Sequence, residues 1–242
     1  MTTERPWLDV SLCIDHRVDL LIAEMSLDEL VGQCVQVGNV DLIRDAEALR
    51  AGRISSSLSA SGPHAGNERD AGVTSSVADA VQRLAVEESR LGVPLLFGRD
   101  VIHGHRTVFP IPLGQAAGWD EALVAEAAAI AAAEAASDGV AWTFAPMADI
   151  CEDGRWGRIA EGFGEAPVLS GRLAAAAVRG FQGEAPREGI PAGRIVTQSS
   201  TSSGTGWRAA GATTTPCRWG RTPSAMCICV RSGTPWTPVC RP

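Results

Sequence analysis

The amino-acid sequence predicts an α/β fold in which helices cover a parallel sheet. Over residues 1–195, short apolar runs alternate with longer segments whose apolar residues recur at helical spacing. This alternation is typical of parallel sheets, because parallel strands need crossover connections that are usually helices. Hydrophobic residues make up 45% and charged residues 20% of the 242-residue chain, which is typical of a globular protein and excludes wholesale disorder.

Each element of this fold has a local signal. Ser26 and Glu29 have the spacing of a capping box, which predicts a helix start near Ser26. Three more helices are predicted from apolar periodicity and from start or stop residues: 77–91 before Gly92, 121–137 after the cap Asp120 and before Gly139, and 167–181 with Pro167 in the first turn. Strands are predicted at 34–40, within 49–58, at 94–98 and at 140–145.

A polar loop follows the predicted strand at 94–98. It begins with Asp100 and also carries two histidines and two arginines. Functional residues of parallel α/β folds collect where strands end, and a carboxylate there can accept hydrogen bonds from two neighbouring hydroxyls of a ligand. The alternative is that Asp100 pairs with Arg99 or Arg106 and only fixes the loop.

The two histidines of this loop, His103 and His105, are two residues apart. That spacing, with no cysteine and only scattered acids nearby, is a weak metal signal. We therefore expect hydrogen-bonded structural histidines, and neither a metal nor any other cofactor.

A second loop follows the predicted strand at 140–145. Arg155 and Arg158 flank Trp156 there, which places planar donors beside an aromatic face, a combination suited to sugars or carboxylates. An ion-pair network, for instance Arg158 with Glu161 or Glu165, explains the composition equally well.

Four ordered motifs in these loops and their surroundings resemble the N-terminal domain of glycoside hydrolase family 3, of the bacterial β-glucosidase type. The resemblance covers roughly residues 15–195 and is carried by Gly98–Gly104, Thr107–Gly114, Phe144–Asp149 and Arg155–Glu165. It implies a (β/α)8 TIM-barrel-like domain, of which this chain would hold about half to two-thirds. It also implies a retaining, exo-acting hydrolysis of β-glucosides or β-xylosides.

The resemblance also implies roles for single residues. Asp100 and Arg158 match residues that bind the sugar, and Asp149, Arg155 and Glu161 match positions that shape the loop. The family nucleophile and acid/base lie beyond the matching region, so no catalytic residue is assigned and the chain is expected to be inactive. One further departure is Ala166, where the family has an aspartate at a helix start.

Residues 196–242 differ in composition from the rest of the chain. All 28 acidic residues precede them, whereas this segment carries five arginines and four of the seven cysteines. Strand–helix alternation also stops there. The sequence therefore predicts a partial family 3 barrel domain over 1–195 and an irregular, disordered tail over 196–242.

The tail has the pattern of an out-of-frame translation. The family motif Lys-His-Phe, usually followed by Val-Gly-Tyr-Gly, is expected next and is absent. One set of codons for Lys-His-Phe-Val-Gly-Tyr, read one base later, encodes the residues at Ser200–Thr205, and the same shift turns Asp-Tyr-Asp-Thr-Val into Thr213–Cys217. The sequence thus predicts a frameshift near residue 196; the alternative is a native disordered tail rich in Ser, Thr, Gly and Pro.

Charge and hydropathy limit the partners. The net charge of −7 makes nucleic acid an unexpected partner, and no apolar run reaches the length of a membrane span. The first residues lack a signal-peptide pattern, which predicts a cytoplasmic protein. The expected partner is a small carbohydrate, a β-glucoside or β-xyloside, and the alternative function is a non-catalytic carbohydrate-binding remnant.

Overall fold

The computed structural model of the chain describes residues 5–58, 71–184 and 189–198. The chain divides into two compact units, one containing residues 1–97 and the other beginning at residue 98. Most of the predicted tail, residues 199–242, lies outside the described residues. The prediction that this tail is disordered therefore stays a prediction.

The first unit combines four helices with three parallel strands among its described residues. The helices are α1 (Ile14–Glu24), α2 (Leu27–Gly32), α3 (Ala46–Arg50) and α4 (Ala71–Glu87), preceded by a 3-10 turn at Pro6–Leu8. The strands are β1 (Gln36–Val37), β2 (Ser56–Ser57) and the first half of β3 (Leu96–Arg99). Gln36 lies opposite Ser56, and Ser56 lies opposite Leu96, both in parallel register.

The predicted capping box at Ser26 is confirmed. The Ser26 backbone N–H donates to Glu29 Oε2 at 2.8 Å, and the Glu29 backbone N–H donates to Ser26 Oγ at 3.3 Å. Glu29 is buried and also accepts two hydrogen bonds from Arg90, of 2.6 and 3.1 Å. These bonds lower the pKa of Glu29 despite its burial, and they tie the start of α2 to the segment after α4.

The second unit contains the remaining described elements. The helices are α5 (Pro112–Ala116), α6 (Glu121–Ser137) and α7 (Pro167–Gln182), with a 3-10 turn at Ile159–Glu161. The second half of β3 pairs in parallel with β4 (Trp142–Thr143), and β4 pairs in parallel with β5 (Val196–Thr197). In this register Arg99 lies opposite Thr143.

The core of the second unit lies largely between α6 and α7. Small residues line α6 at helical spacing and are buried there: Ala127, Ala128, Ala131, Ala132 and Ala135. Gly180 of α7 faces them so closely that a Cβ atom at this position would lie 2.3 Å from the carbonyl oxygen of Ala125. Because neither helix has bulk at the contact, the two backbones approach each other directly.

The predicted fold class is confirmed, and the long helices are predicted well. Helix α6 has the predicted bounds with Asp120 as its cap, and α7 ends one residue later than predicted. Helix α4 lies about five residues earlier than predicted, and each predicted strand is shorter in the structure. None of the described helices is long and apolar enough to cross a membrane.

The sequence does not predict α1, α3, α5 or β5. Helices α3 and α5 have five residues each, too few for a helical period to be recognised. Pro110 lies just before α5 and Pro112 is its first residue, and a residue before proline favours extended backbone. Strand β5 lies just beyond residue 195, where the strand–helix pattern was expected to stop.

Candidate functional site

Asp100 lies at the carboxyl end of β3, directly after the last paired residue. Its backbone is held on both sides, since Arg99 belongs to the ladder with β4 and the Val101 N–H donates to Thr143 Oγ1 at 3.0 Å. The side chains of Val101 and Thr143 are fully buried, whereas Asp100 keeps an exposed surface. The Asp100 carboxylate forms no hydrogen bond or ion pair with the residues that the structure describes.

Arg158 lies in the loop between β4 and α7 and is held by Glu161. Its Nε donates to both carboxylate oxygens of Glu161 at 3.0 Å, and Nη2 donates to Oε2 at 2.5 Å. Nη2 also lies 3.6 Å from the sulfur of Met147. Within the described ranges, Nη1 has no hydrogen-bond partner, so this end of the guanidinium is available to a ligand.

These side chains form one electrostatic site. Partial burial raises the pKa of Asp100, the negative charge of Glu161 raises it further, and the positive charge of Arg158 opposes both effects. The hydrogen bonds to Glu161 raise the pKa of Arg158, and the charges of Asp149 and Asp100 add to this effect. Asp100 and Arg158, from two different strand-end loops, are therefore close enough for their charges to affect each other.

The two remaining predicted residues differ in location. Asp149 is buried in the loop after β4, and its charge contributes to the pKa of Arg158. Arg155 does not join this group: its side chain is 74% exposed and pairs with Asp153 through two bonds of 3.0 Å. The structure therefore brings together Asp100, Asp149, Arg158 and Glu161 and places Arg155 in a separate ion pair.

Both histidines of the first loop are hydrogen-bonded, as predicted. His103 Nδ1 lies 3.0 Å from the Phe109 carbonyl oxygen, and His105 Nε2 lies 2.7 Å from Asp138 Oδ2. Arg106 also bonds Asp138, so the alternative in which Arg106 pairs with Asp100 is wrong. In the part of the chain that the structure describes, no group of three histidine, cysteine or acidic side chains is arranged to hold a metal ion.

The loops that carry Asp100 and Arg158 pack against a common small cavity of about 20 Å³. His103 and Phe109 line it from the first loop, and Met147 and Phe163 line it from the second. Met147 also contacts Arg158, so it links the cavity to the electrostatic site. The contact of Met147 with Arg158 could not be predicted from the sequence, since a single methionine carries no local signal.

Two other supporting residues were also missed. Thr143 reaches a residue 42 positions earlier, and no local pattern indicates such a contact. Asp138 did carry a signal: it is a carboxylate at the C-terminal end of the Ala-rich helix α6, where the helix dipole disfavours negative charge. A carboxylate at such a position indicates a specific cationic partner.

The sequence matches the description "Glycosyl hydrolase family 3 N terminal domain" over residues 26–208. The chain belongs to glycoside hydrolase family 3. The family match extends past residue 195 into the region of altered composition.

Family 3 relatives agree with this assignment. A periplasmic β-glucosidase of Salmonella typhimurium is 36% identical over 178 residues, which cover 72% of this chain and 22% of the relative. A putative β-xylosidase of Formosa agariphila is 29% identical over 193 residues, covering 75% of this chain and 25% of the relative. The family 3 chain thus spans about a quarter of the length of these relatives.

Solved structures of the family share the fold. A β-glucosidase from Erythrobacter marinus superposes with a TM-score of 0.75 at 29% identity, covering 86% of this chain and 28% of its own. A Listeria innocua β-glucosidase in complex with glucose gives a TM-score of 0.61 at 34% identity, with coverages of 75% and 26%. The parallel α/β arrangement of this family 3 chain is therefore that of a partial N-terminal barrel domain.

Proposed function

We propose that this chain is the sugar-binding part of a β-glucosidase-like glycoside hydrolase that acts on β-glucosides or β-xylosides by a retaining, exo-acting mechanism. In this proposal Asp100 and Arg158 hold the sugar. Glu161 and Asp149 keep Arg158 charged and oriented, and Arg155 shapes the outer part of the loop.

The observation that carries the proposal is a pair of groups without hydrogen-bond partners among the described residues. They are the carboxylate of Asp100 and Nη1 of Arg158, whose charges affect each other. The Asp100 carboxylate is exposed on one side, has no hydrogen-bonded partner among the described residues, and has a pKa that its partial burial raises. Two adjacent sugar hydroxyls would restore the lost hydrogen bonds by donating to the two carboxylate oxygens. The free Nη1 of Arg158 would donate to a hydroxyl oxygen of the same sugar.

The Arg158–Glu161 ion pair fits this role. Long side chains lose rotamer freedom when a ligand fixes them, and a guanidinium that is already fixed loses less. Glu161 accepts hydrogen bonds from Nε and Nη2 of Arg158, so the orientation of Nη1 is already fixed before a sugar binds. The ion pair and the sugar contact are therefore compatible uses of one side chain.

Hydrolysis needs groups beyond these. A retaining glycosidase uses two carboxyl groups about 5–5.5 Å apart, one as nucleophile and one as acid/base. The resemblance assigns neither role to a residue of this chain, and Asp100 is assigned to binding. We therefore propose that the chain binds sugar without cleaving a glycosidic bond.

Two measurements on the full chain test this proposal. Titration with glucose, followed by tryptophan fluorescence or calorimetry, is expected to saturate, and Asp100→Ala or Arg158→Ala is expected to weaken binding at least tenfold, as loss of a charge-assisted hydrogen bond implies. Arg172→Ala is the matched control, because Arg172 is also an exposed arginine of the second unit paired with an acid, Glu121. Its affinity for glucose is expected to stay unchanged.

A chromogenic β-glucoside assay separates binding from catalysis. No turnover is expected from the chain, whereas turnover that survives purification and disappears in Asp100→Ala would contradict the proposed inactivity. Absence of saturable glucose binding in the folded wild type would contradict the binding role. Saturable glucose binding without turnover is the result that the proposal expects, and it would exclude an active enzyme.

A further inference from the structure

We infer that Thr143 is a positioning residue that fixes the direction in which Asp100 presents its carboxylate to the sugar. The inference rests on the proposed function for the identity of the ligand, but its geometry is independent of that function. Neither the resemblance nor the comparisons assign a role to Thr143.

The backbone ladder ends immediately before Asp100. Arg99 pairs with Thr143, and the Phe144 N–H donates to the Arg99 carbonyl oxygen at 3.4 Å. Beyond this bond β4 offers Asp100 no further ladder partner among the described residues. The next backbone donor, the Val101 N–H, would be buried and unbonded without a side-chain acceptor.

Thr143 supplies that acceptor from its side chain. Its Oγ1 accepts the Val101 N–H at 3.0 Å, and both side chains are fully buried. The backbone of Thr143 is fixed in turn, because its carbonyl oxygen accepts the Gln198 N–H at 2.8 Å. The Thr143 hydroxyl is therefore held in place, and its bond to the Val101 N–H adds one hydrogen bond between β3 and β4 beyond Asp100.

Asp100 depends on this backbone bond because its side chain has no other restraint. Its carboxylate makes no hydrogen bond or ion pair within the described residues, so the restraint that the fold places on it is the direction of its Cα–Cβ bond, which the backbone on either side sets. Arg99 fixes one side through the ladder, and Val101 fixes the other through Thr143. Loss of the Thr143 bond would leave Asp100 attached at one side only and free to turn away from Arg158.

A pair of variants tests this role. Thr143→Val keeps the size and β-branching of the side chain but removes the acceptor, whereas Thr143→Ser keeps the hydroxyl oxygen. In each variant the titration of the Asp100 carboxyl carbon is followed by NMR. In the wild type, burial and Glu161 hold the pKa of Asp100 above its ordinary value. In Thr143→Val that pKa is expected to fall toward the ordinary value, and in Thr143→Ser it is expected to remain raised.

Glucose affinity gives a second readout. Thr143→Val is expected to weaken glucose binding about tenfold, the effect of one lost hydrogen bond in a buried place, and Thr143→Ser to bind like the wild type. A variant that was only less stable would bind normally once folded and would leave the titration of Asp100 unchanged. An unchanged titration in folded Thr143→Val overturns the inference.

The two proposals fail in different ways. If the wild type does not bind glucose, the sugar-binding function is wrong, while the titration of Asp100 still decides the role of Thr143. If Thr143→Val does not fold, hydrogen exchange of the Val101 amide in the wild type tests the bond to Thr143 instead. Exchange protection equal to that of the Phe144 amide supports the bond to Thr143, and exchange as fast as an exposed amide overturns it.

Discussion

His105 Nε2 and Asp138 Oδ2 lie 2.7 Å apart and both side chains are buried, although the two residues are 33 positions apart in the sequence. Their contact joins the loop after Asp100 to the C-terminal end of α6. Arg106 bonds both carboxylate oxygens of Asp138. Glu134, one turn earlier, accepts the backbone N–H groups of Arg106 and Thr107 at 2.8 Å. Glu134 of α6 and Asp138, the residue that follows the helix, therefore hold the loop in place.

Loss of the Asp138 charge is expected to destabilise the folded chain. Burial alone would raise the pKa of Asp138, but the hydrogen bonds from Arg106 and His105 outweigh burial and lower it. Asp138→Asn is expected to lower the free energy of unfolding by about 1–3 kcal/mol at pH 7, because it weakens the three hydrogen bonds that His105 and Arg106 make to a buried carboxylate. Urea denaturation measures the difference.

The pH dependence of this effect follows from the direction of the pKa shift. Because the pKa of Asp138 is lower in the folded chain, its charge contributes stability above the ordinary aspartate pKa of 3.8, and this contribution is lost as pH falls through the lowered value. The gap between the wild type and Asp138→Asn is therefore expected to close at strongly acidic pH. Glu126→Gln, an exposed acid on the same helix, serves as the control, and a change as large as that of Asp138→Asn would contradict the prediction.

Gly98 is expected to accept no larger residue while Trp142 is present. A Cβ atom at Gly98 would lie 1.8 Å from Trp142 Nε1, and the Trp142 ring also packs edge-on to Phe144 at 4.9 Å. Gly98→Ala is expected to destabilise the fold by about 1–3 kcal/mol, the usual result of overpacking. Denaturation of the single and double variants is the measurement.

The double variant identifies the cause. If Trp142 is the obstacle, Gly98→Ala combined with Trp142→Leu is expected to cost less than the sum of the two single changes. Additive losses would show that the cost arises elsewhere, for instance in the backbone of β3.

Ala166 is expected to limit the stability of α7. It occupies the cap position with extended backbone and makes no capping hydrogen bond. Ala166→Asp adds an acceptor for the first N–H groups of the helix and is expected to raise the free energy of unfolding by about 0.5–2 kcal/mol, measured by thermal melting. Ala166→Leu changes the size without adding an acceptor, and an equal gain from it would refute the capping explanation.

The proposed frameshift near residue 196 is decided at the level of the gene. Sequencing is expected to find codons for Lys-His-Phe in a shifted frame at the position of Ser200–Thr205. An intact frame with no such codons in either alternative frame would favour a native tail. The family match as far as residue 208 makes this short region the informative one.

Local chemistry explains which features could be predicted from the sequence. Asp120 caps α6 through bonds to residues two and three positions away, and Arg158 bonds Glu161 three positions away, so each signal lies within a few residues. The sequence predicted the Asp120 cap. It also predicted the Arg158–Glu161 ion pair, as the alternative to a ligand-binding role for Arg158. The roles of Asp100 and Arg158 came from the family resemblance and remain predictions.

Long-range contacts explain what was missed. The bond from Val101 to Thr143 and the contact of His105 with Asp138 join residues more than 30 positions apart, and the identity of neither partner reveals the other. The lengths of the strands were overestimated because the apolar runs continue into the buried segments that flank each strand. Periodicity detects burial, whereas strand bounds depend on backbone pairing with another part of the chain.

The direct contact of α6 and α7 at Gly180 limits how this protein can be re-engineered. Since a methyl group there would collide with the Ala125 carbonyl, every substitution at Gly180 pushes the two helices apart. Helix α7 starts just after the loop of Arg158, and the C-terminal end of α6 holds the loop after Asp100 through Glu134 and Asp138. Such a displacement would therefore reach both loops that are proposed to bind sugar. Mutant libraries aimed at a new carbohydrate preference would keep the contact between α6 and α7 constant. They would vary exposed residues of the loops that carry Asp100 and Arg158 instead.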